Sequence, residues 1–208
     1  MPDLALLSFD QLLTEFFDRP GAEVEIHRRY GRLVATMVVD LTGMTERTQV
    51  HGIAYALALA AAAERAIQAP ILDRGGTIVK READTLFVAF SDPHSALLAA
   101  LDAQQAFARF NVHRKGTLED RTRNEPILGC IGLGWGEGLL IPGRDLFGAE
   151  VNRAFILGED VARGGDTLCT ESFLGGLGEP PPGVGVHRAG RDVDATAGFP
   201  VYRVADHR

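Results

Sequence analysis

The sequence is poor in the residues that mark several classes of protein. Its 208 residues include only two cysteines, Cys130 and Cys169, and they form no CxxC motif. We interpret both as reduced core residues, with a disulfide between them as the alternative. Basic residues number 21 against 28 acidic ones, a net charge of -7 that argues against a broad nucleic-acid-binding surface. No stretch approaches the roughly 20 apolar residues of a membrane span.

The first residues also lack the marks of a secretory signal. No basic segment is present, and Asp3 and Asp10 interrupt the apolar stretch that a signal peptide needs. We therefore expect a cytoplasmic protein. Apolar positions at helical spacing over 4–17 instead predict a helix, which packs on its own domain or faces a partner chain. The six histidines include no pair at metal-ligand spacing, which argues against a zinc site.

The rest of the chain alternates predicted strands and helices around one sheet. A chain of 208 residues can bury roughly 70% of the surface that its unfolded form exposes, so its core needs no disulfide or metal cross-links. We divide the chain into residues 1–30, an N-terminal helix with a lead-in strand at 23–30, and a main domain over 31–208. The interleaved elements indicate an α/β or α+β class. We predict strands at 33–40, 77–80, 85–90 and 199–204, a strand pair at 127–141, helices at 50–69 and from Pro93, and a charged surface connection at 112–126.

Two aspartates, Asp40 and Asp84, each stand where a predicted strand meets a turn. A strand–helix–hairpin unit brings the end of the first strand beside the hairpin turn, so we expect these carboxylates to lie close together. Paired carboxylates suit hard divalent cations, which prefer oxygen ligands and bridge to phosphate oxygens. The alternative interpretation is that each is a solvated turn aspartate.

Four segments in order resemble the class III nucleotidyl cyclases over residues 33–204. They read VVDLTGMT, GGTIVKREADTLFVAF, DLFGAEVNRAFIL and FPVYRV. The resemblance implies an α+β fold with a ferredoxin-like βαββαβ core sheet and flanking helices. It also implies a head-to-tail homodimer, or a heterodimer with another cyclase chain, in which each active site draws residues from both chains.

The resemblance implies a two-metal nucleotide site. Asp40, Asp84 and the backbone carbonyl of Leu41 would bind two Mg²⁺ or Mn²⁺ ions, which activate the ribose 3′-hydroxyl and neutralise the triphosphate. Backbone N–H groups would cradle the β and γ phosphates, from Thr42, Gly43, Met44 and Thr45. The 3′-oxygen would then attack the α-phosphorus, and pyrophosphate would leave.

From the opposite chain, the resemblance implies a pair of residues that reads the base. Lys80 matches a lysine that donates to adenine N1, and Asp145 matches an aspartate that accepts from the 6-amino group. This pair favours ATP over GTP. Asn152 matches the asparagine that orients the ribose.

The chain departs from the family pattern at the position that stabilises charge on the transferring phosphate. That arginine is replaced by Ile156, one helical turn after Asn152, and such a cation is typically worth ~100–1000-fold in rate. Ala83 replaces the hairpin glycine, which is acceptable if its φ stays negative. Arg188 or Arg191 is a candidate for a late phosphate-binding cation. The leading interpretation is an adenylate cyclase, and the alternatives are a nucleotide-binding module with little catalysis and a scaffold domain.

Overall fold

A computed structural model describes residues 3–115 and 126–207 of the chain. The helices are α1 (Phe9–Thr14), α2 (Ala22–Tyr30), α3 (Met44–His51), α4 (Ile53–Asp73), α5 (Pro93–Lys115), α6 (Ala149–Ile156), α7 (Glu171–Leu177) and α8 (Arg191–Ala197). The strands are β1 (Gly31–Leu41), β2 (Thr77–Glu82), β3 (Thr85–Phe90), β4 (Gly129–Ile141), β5 (Asp145–Phe147), β6 (Thr167–Thr170), β7 (Val184–Arg188) and β8 (Val201–Asp206). A 3₁₀ turn (Leu4–Leu6) and a π-helical turn (Leu157–Val161) complete the described elements.

All eight strands form one mixed sheet. Its order is β2-β3-β1-β4-β6-β8-β7, and β5 pairs with the far end of β4. Among the first four strands, each neighbouring pair in the sheet is antiparallel, and α4 and α5 lie in the connections from β1 to β2 and from β3 to β4. This is the predicted ferredoxin-like βαββαβ core within an α+β fold. The strands β6 to β8 extend it on one side, with β6 parallel to β4.

The two faces of the sheet carry different layers. One face holds the main core, where Met37 and Val88 pack against Ile67 of α4 and Leu97 of α5. The other face carries α6 and the π-helical turn, with Val38, Phe87 and Ala154 in contact. The alternation of side chains along a strand therefore decides which residues of β1 face α6.

The prediction of a lead-in strand at 23–30 is wrong, because this segment forms the helix α2. Ala22 and Ile26 are buried four residues apart, which is one helical turn. Glu25 accepts two hydrogen bonds from Arg28 at 2.7 and 2.6 Å, a pairing that a helix permits at this spacing. The helix leads directly into β1 at Gly31.

The strand pair predicted at 127–141 is a single long strand, β4. Its glycines recur at every second position, and they mark close helix packing rather than a turn. A Cβ on Gly132 would collide with the Ala154 carbonyl oxygen, and one on Gly134 with the Glu150 carbonyl oxygen. The missing side chains let α6 lie directly on the backbone of β4.

The other predicted elements are confirmed with shifted ends. The helix predicted at 50–69 is interrupted at Gly52 and extends to Asp73 as α4. The helix predicted at 4–17 is shorter and consists of the 3₁₀ turn Leu4–Leu6 and α1. Ser8 and Gln11 form a capping box at the start of α1. In the predicted connection at 112–126, α5 extends to Lys115, and residues 116–125 lie outside the described part of the chain.

The N-terminal helices pack on their own domain. Leu7, Phe9 and Leu12 cluster with Ile141 at the end of β4, and Arg144 binds Asp10 at 2.7 and 2.8 Å. Cys130 and Cys169 are both buried and free, as predicted. No helix of the described residues is long and apolar enough to cross a bilayer.

Candidate functional site

Asp40 lies at the end of β1, on the face that carries α6. It pairs in register with Cys130 of β4, and its side chain is half-buried. The buried β-branched run before it explains this position, because a strand between two neighbours ends where the first polar side chain meets solvent. The structure thus places this predicted metal ligand at the edge of a recess.

Asp84 occupies the two-residue turn between β2 and β3. Glu82 pairs with Thr85 across the turn, so Ala83 and Asp84 make the whole connection. Ala83 has a φ of 52°, the only positive value at a residue other than glycine in the described chain. The condition set from the sequence, a negative φ at Ala83, is therefore wrong. A turn of this length favours glycine at its first position, and alanine is strained there.

The segment from Thr42 to Thr45 forms a loop that opens into α3. Gly43 has a φ of 71°, and a Cβ there would meet the guanidinium of Arg47 at 2.5 Å. Arg47 is buried and donates to the carbonyl oxygens of Thr42 and Pro126. These bonds brace the loop. The predicted phosphate contact of the Thr42 N–H is wrong, because this group already donates to the Leu128 carbonyl oxygen at 3.0 Å. The N–H groups at the start of α3 are available to a negative ligand.

One recess of about 730 Å³ gathers these predicted residues. It is lined by Asp40, Leu41, Thr42, Gly43, Met44, Thr45, Glu46, Gln49, Asp84 and Glu159. The seven residues predicted to bind metal and phosphate thus lie together, with three further residues, Glu46, Gln49 and Glu159. The predicted metal ligands Asp40, Leu41 and Asp84 line the same opening as the predicted phosphate loop. No lysine, arginine or histidine is among the described residues that line it.

A third carboxylate, Glu159, enters the recess from the π-helical turn. It accepts a hydrogen bond from the buried Thr85 hydroxyl on β3. The sequence analysis missed this residue, because an ordinary helical continuation of α6 gives no reason to aim position 159 at the end of β1. A π-turn changes the direction of the side chains that follow it.

Asp40 has a strongly perturbed pKa. Burial raises the pKa of its carboxyl from 3.8 to about 7, with further contributions from the negative charges of Glu159 and then Asp84. Hydrogen bonds from the Leu41 amide and the Thr85 hydroxyl act in the opposite direction. The recess therefore concentrates negative charge that its own lining does not neutralise.

The predicted base-reading residues meet at another place on the same chain. The Lys80 ammonium lies 2.9 Å from Asp145 at the start of β5 and 2.6 Å from Glu82 at the end of β2. It also lies 4.5 Å from the centre of the Phe87 ring. Lys80 and Asp145 thus lie beside each other, and neither lines the recess around Asp40.

Asn152 and Ile156 occupy successive turns of α6. The Asn152 side chain is exposed, and Ile156 is half-buried against an apolar cluster that includes Leu157 and Val201. Arg153, between them, pairs with Glu150 at 2.7 Å and lies over Phe199. The helix therefore presents no cation at the position where the family pattern has one.

The two late arginine candidates lie elsewhere. Arg188 binds Asp194 at 2.8 Å and stacks over Tyr202, and together with Arg191 it lines a separate surface depression. Within one chain, the structure does not bring either arginine to the recess.

The donors that line the recess fit a divalent metal ion only in part. Across residues 3–115 and 126–207, no three His, Cys, Asp or Glu side chains already converge as a cage. Two carboxylates with a backbone carbonyl nevertheless fit Mg²⁺ or Mn²⁺, which keep part of their coordination for water and substrate phosphates. The donor chemistry therefore suits such ions when a nucleotide completes the coordination.

Comparisons with known proteins identify the fold. The sequence matches no protein-family model and no curated protein. Among solved structures, the adenylyl cyclase CyaB from P. aeruginosa superposes with a TM-score of 0.69 at 19% identity, over 86% of this chain and 96% of that chain. An adenylate/guanylate cyclase/hydrolase from Silicibacter pomeroyi gives 0.63 at 26% identity, over 84% and 95%. The guanylate cyclase domain of RhGC from Catenaria anguillulae, solved with GTP, gives 0.65 at 17% identity, over 86% and 98%.

These matches span most of the described chain and nearly all of each solved domain. The protein therefore has the fold of the class III adenylate and guanylate cyclase catalytic domains. The resemblance drawn from the four sequence segments is confirmed at the level of the fold.

Proposed function

We propose that this protein is a nucleotidyl cyclase that converts ATP to cyclic AMP and pyrophosphate at sites shared by two chains. The observation that carries the proposal is the single recess in which Asp40 and Asp84 face the loop 42–45. A solved domain of the same fold holds GTP, which supports a nucleoside triphosphate as the ligand class. The choice of ATP rests on Lys80 and Asp145.

The metal-binding half of the site is built by one chain. Asp40, Asp84 and the Leu41 carbonyl would hold Mg²⁺ or Mn²⁺. When bound, these ions supply charge neutralisation and a lowered pKa at the ribose 3′-hydroxyl. The N–H groups of Gly43, Met44 and Thr45 then hold the terminal phosphates by hydrogen bonds that the α3 dipole reinforces.

The base-binding half comes from a second chain. Lys80, Asp145 and Asn152 do not line the recess of their own chain, which favours a nucleotide that contacts the recess of one chain and these residues of another. We infer a homodimer with an interface above roughly 1,000 Å² of buried surface. A related cyclase chain supplies the same half in a heterodimer. Enclosure between two chains also excludes water from the reacting phosphate.

The reaction is an in-line displacement. The ribose 3′-oxygen bonds to the α-phosphorus, the bond to the β-phosphate oxygen breaks, and the hydroxyl proton passes to solvent. Asn152 orients the ribose for this attack. Catalysis is slow, because the position of the charge-stabilising cation holds Ile156.

A second candidate function is nucleotide binding without turnover. Ile156 favours it, because this side chain packs against an apolar cluster rather than facing a phosphate as a cation. The recess and the base-reading pair serve binding equally well in this case. The two functions differ only in whether cyclic nucleotide forms.

The test compares the wild type with the Asp40→Asn and Asp160→Asn variants. Asp160 is the control: it is an exposed acid on the π-helical turn that carries Glu159, and it does not line the recess. ATP binding with Mn²⁺ is measured by calorimetry, and cyclic AMP and pyrophosphate by chromatography. We expect binding and product in the wild type and in Asp160→Asn, and neither in Asp40→Asn. Binding without product selects the second candidate. Binding that survives in Asp40→Asn, or no binding by the wild type, contradicts both.

A further inference from the structure

We propose that Glu82 is a positioning residue for nucleotide recognition, which holds the Lys80 ammonium in place while Asp145 turns to the base. This inference rests on the proposed function, since it assigns Lys80 and Asp145 to the base. It concerns a residue that neither the sequence pattern nor the family resemblance singled out.

The Lys80 ammonium contacts two carboxylates and an aromatic ring. A lysine ammonium has three N–H donors and no acceptor. Two carboxylates lie at 2.6 Å (Glu82) and 2.9 Å (Asp145) from the ammonium nitrogen, and the centre of the Phe87 ring lies at 4.5 Å. The Lys80 side chain is 19% exposed, so water reaches it only partly.

Binding of adenine by this pair competes with the contact between its two members. Adenine N1 needs a donor, and the 6-amino group needs an acceptor. In the free chain the Lys80 ammonium lies between Glu82 and Asp145, and Asp145 Oδ1 also accepts from the Leu146 amide. The base takes the place of the contact between Lys80 and Asp145: the Asp145 carboxylate accepts from the 6-amino group, and Lys80 donates the released N–H to N1.

Glu82 makes that exchange favourable. If Asp145 were the sole carboxylate beside Lys80, opening the contact would leave a partly buried lysine without a charged partner, which is costly. Glu82 keeps one charge-assisted hydrogen bond intact throughout. The number of hydrogen bonds on Lys80 is then the same before and after the base binds.

The two carboxylates are attached differently, and this assigns their roles. Glu82 stands two residues after Lys80 on the same strand, where side chains i and i+2 share a face, so the two move together. Asp145 belongs to β5, and its carboxylate also accepts from the Leu146 amide at 2.8 Å. Glu82 is therefore the constant partner of Lys80, and Asp145 is the partner that can be exchanged.

The intervening residue offers a matched control. Arg81 points to the opposite side of β2 and forms an ion pair with Glu64 of α4. Glu64→Gln therefore removes a carboxylate from an ion pair on the same strand without touching Lys80. A general loosening of β2 would follow from either substitution, whereas an effect through Lys80 follows from Glu82→Gln alone.

The experiment measures the affinities of ATP and of inorganic tripolyphosphate with Mn²⁺, in the wild type, Glu82→Gln and Glu64→Gln. Tripolyphosphate reports on the metal recess and has no base. We expect Glu82→Gln to weaken ATP binding about fivefold, because Lys80 without its second carboxylate holds Asp145 more tightly and their contact costs more to open. Its tripolyphosphate affinity stays at the wild-type value, and Glu64→Gln changes neither affinity.

Three results overturn the inference. ATP affinity that is unchanged or tighter in Glu82→Gln means that Glu82 does not support Lys80 during binding. Equal weakening of ATP and tripolyphosphate means a general structural effect. Both results leave the proposed function standing if Asp40→Asn still abolishes binding. If the wild type binds neither ligand with Mn²⁺, the proposed function fails first, and the role of Glu82 fails with it.

Discussion

Two charged regions on β1, β2 and β3, the recess end around Asp40 and the Lys80 end, differ in how their charges are balanced. At the recess, Asp40, Asp84 and Glu159 gather without a cation among the described lining residues. At the other end, the Lys80 ammonium is enclosed by Glu82, Asp145 and the Phe87 ring. The carboxylates of the recess thus have no cationic partner in its described lining, whereas the Lys80 ammonium has carboxylate partners within its own chain.

This difference indicates a division of labour in nucleotide binding. An uncompensated acidic recess gains most from divalent cations, so metal and triphosphate supply the affinity. A preformed ion pair gains little from a ligand, since the base exchanges one hydrogen-bond partner for another. That end contributes less to the affinity for ATP than the recess does, and it discriminates between bases. Substitutions at the two ends should therefore differ both in size and in kind.

The largest effect is expected from Asp84→Ala, which should abolish metal-dependent nucleotide binding, as should Asp40→Ala. The metal-free fold should lose little stability, since removing either carboxylate relieves like-charge repulsion. Thermal denaturation with and without ATP and Mn²⁺ measures both quantities. A ligand-induced shift that persists in both variants means that the metal site is assigned to the wrong residues.

The next effect concerns turnover and leaves both ends unchanged. Ile156→Arg should raise the rate of cyclic AMP formation by about 100-fold. ATP affinity should stay nearly unchanged, because the cation acts on charge that develops in the transition state. Product formation under saturating ATP and Mn²⁺ gives the rate. A variant that binds ATP normally and forms no product favours the binding function over the cyclase.

The relative affinities of ATP and GTP test the role of the Lys80 end. We expect the wild type to bind ATP at least about tenfold more tightly than GTP, because guanine presents the opposite donor and acceptor at its 6-position. Lys80→Ala should reduce this ratio and leave the affinity for tripolyphosphate intact. Competition calorimetry provides the ratio. Equal affinities in the wild type, or a preference for GTP, would remove Lys80 and Asp145 from base reading.

A smaller effect follows from the crowding of carboxylates in the recess. The pKa of Asp40 is raised to about 7 in the fold from 3.8, so the folded state binds this proton more tightly than the unfolded state. Metal-free stability should fall as the pH rises from about 4 to about 7. Glu159→Gln removes one negative neighbour and should be more stable than the wild type at pH 8, by roughly 0.5–1 kcal/mol.

This stability difference should vanish near pH 4, where Asp40 is protonated in the fold. Chemical denaturation at the two pH values, with chelator present, measures it. Asp160→Asn serves as the control for removal of an acid from the same turn. A Glu159→Gln variant less stable than the wild type at pH 8 would show that the hydrogen bond from Thr85 outweighs the repulsion.

The smallest effect is expected at the hairpin turn between the two ends. Ala83→Gly should stabilise the fold by about 0.5 kcal/mol, since relief of the left-handed strain exceeds the added entropy of the unfolded chain. Ala58→Gly, at an exposed position inside α4, should instead destabilise it by about 1 kcal/mol. Thermal melts of both variants test the assignment of strain to Ala83.

The sequence was sufficient for the ferredoxin-like core and for seven of the ten residues that line the recess. Strand ends and turn residues are local features, and Asp40, Asp84 and the loop 42–45 lie within such features. The helix α2 was missed because its charged residues hide the burial of Ala22 and Ile26. The single strand β4 was missed because alternating glycines resemble turns until the helix that covers them is seen.

Within the site, the residues that sequence reasoning missed are those that depend on contacts between distant segments. Glu159 reaches the recess through a π-helical turn, which has no simple sequence signal. Glu82 looks like an ordinary hairpin residue until Lys80 and Asp145 are placed beside it. The carboxylate at position 145 comes from a strand that is distant in the chain, so its contact with Lys80 depends on the completed sheet.

The central claim, that the two ends work together across two chains, is tested most directly by mixing two defective variants. Asp40→Asn lacks the metal end and Lys80→Ala lacks the base end, so neither alone should be occupied at an ATP concentration just sufficient for the wild type. After unfolding and refolding together, mixed dimers should restore one intact site each, or about a quarter of all sites. Calorimetry of the mixture should then recover ATP binding to that extent. A mixture that binds no more ATP than its separate components would contradict a site shared between two chains.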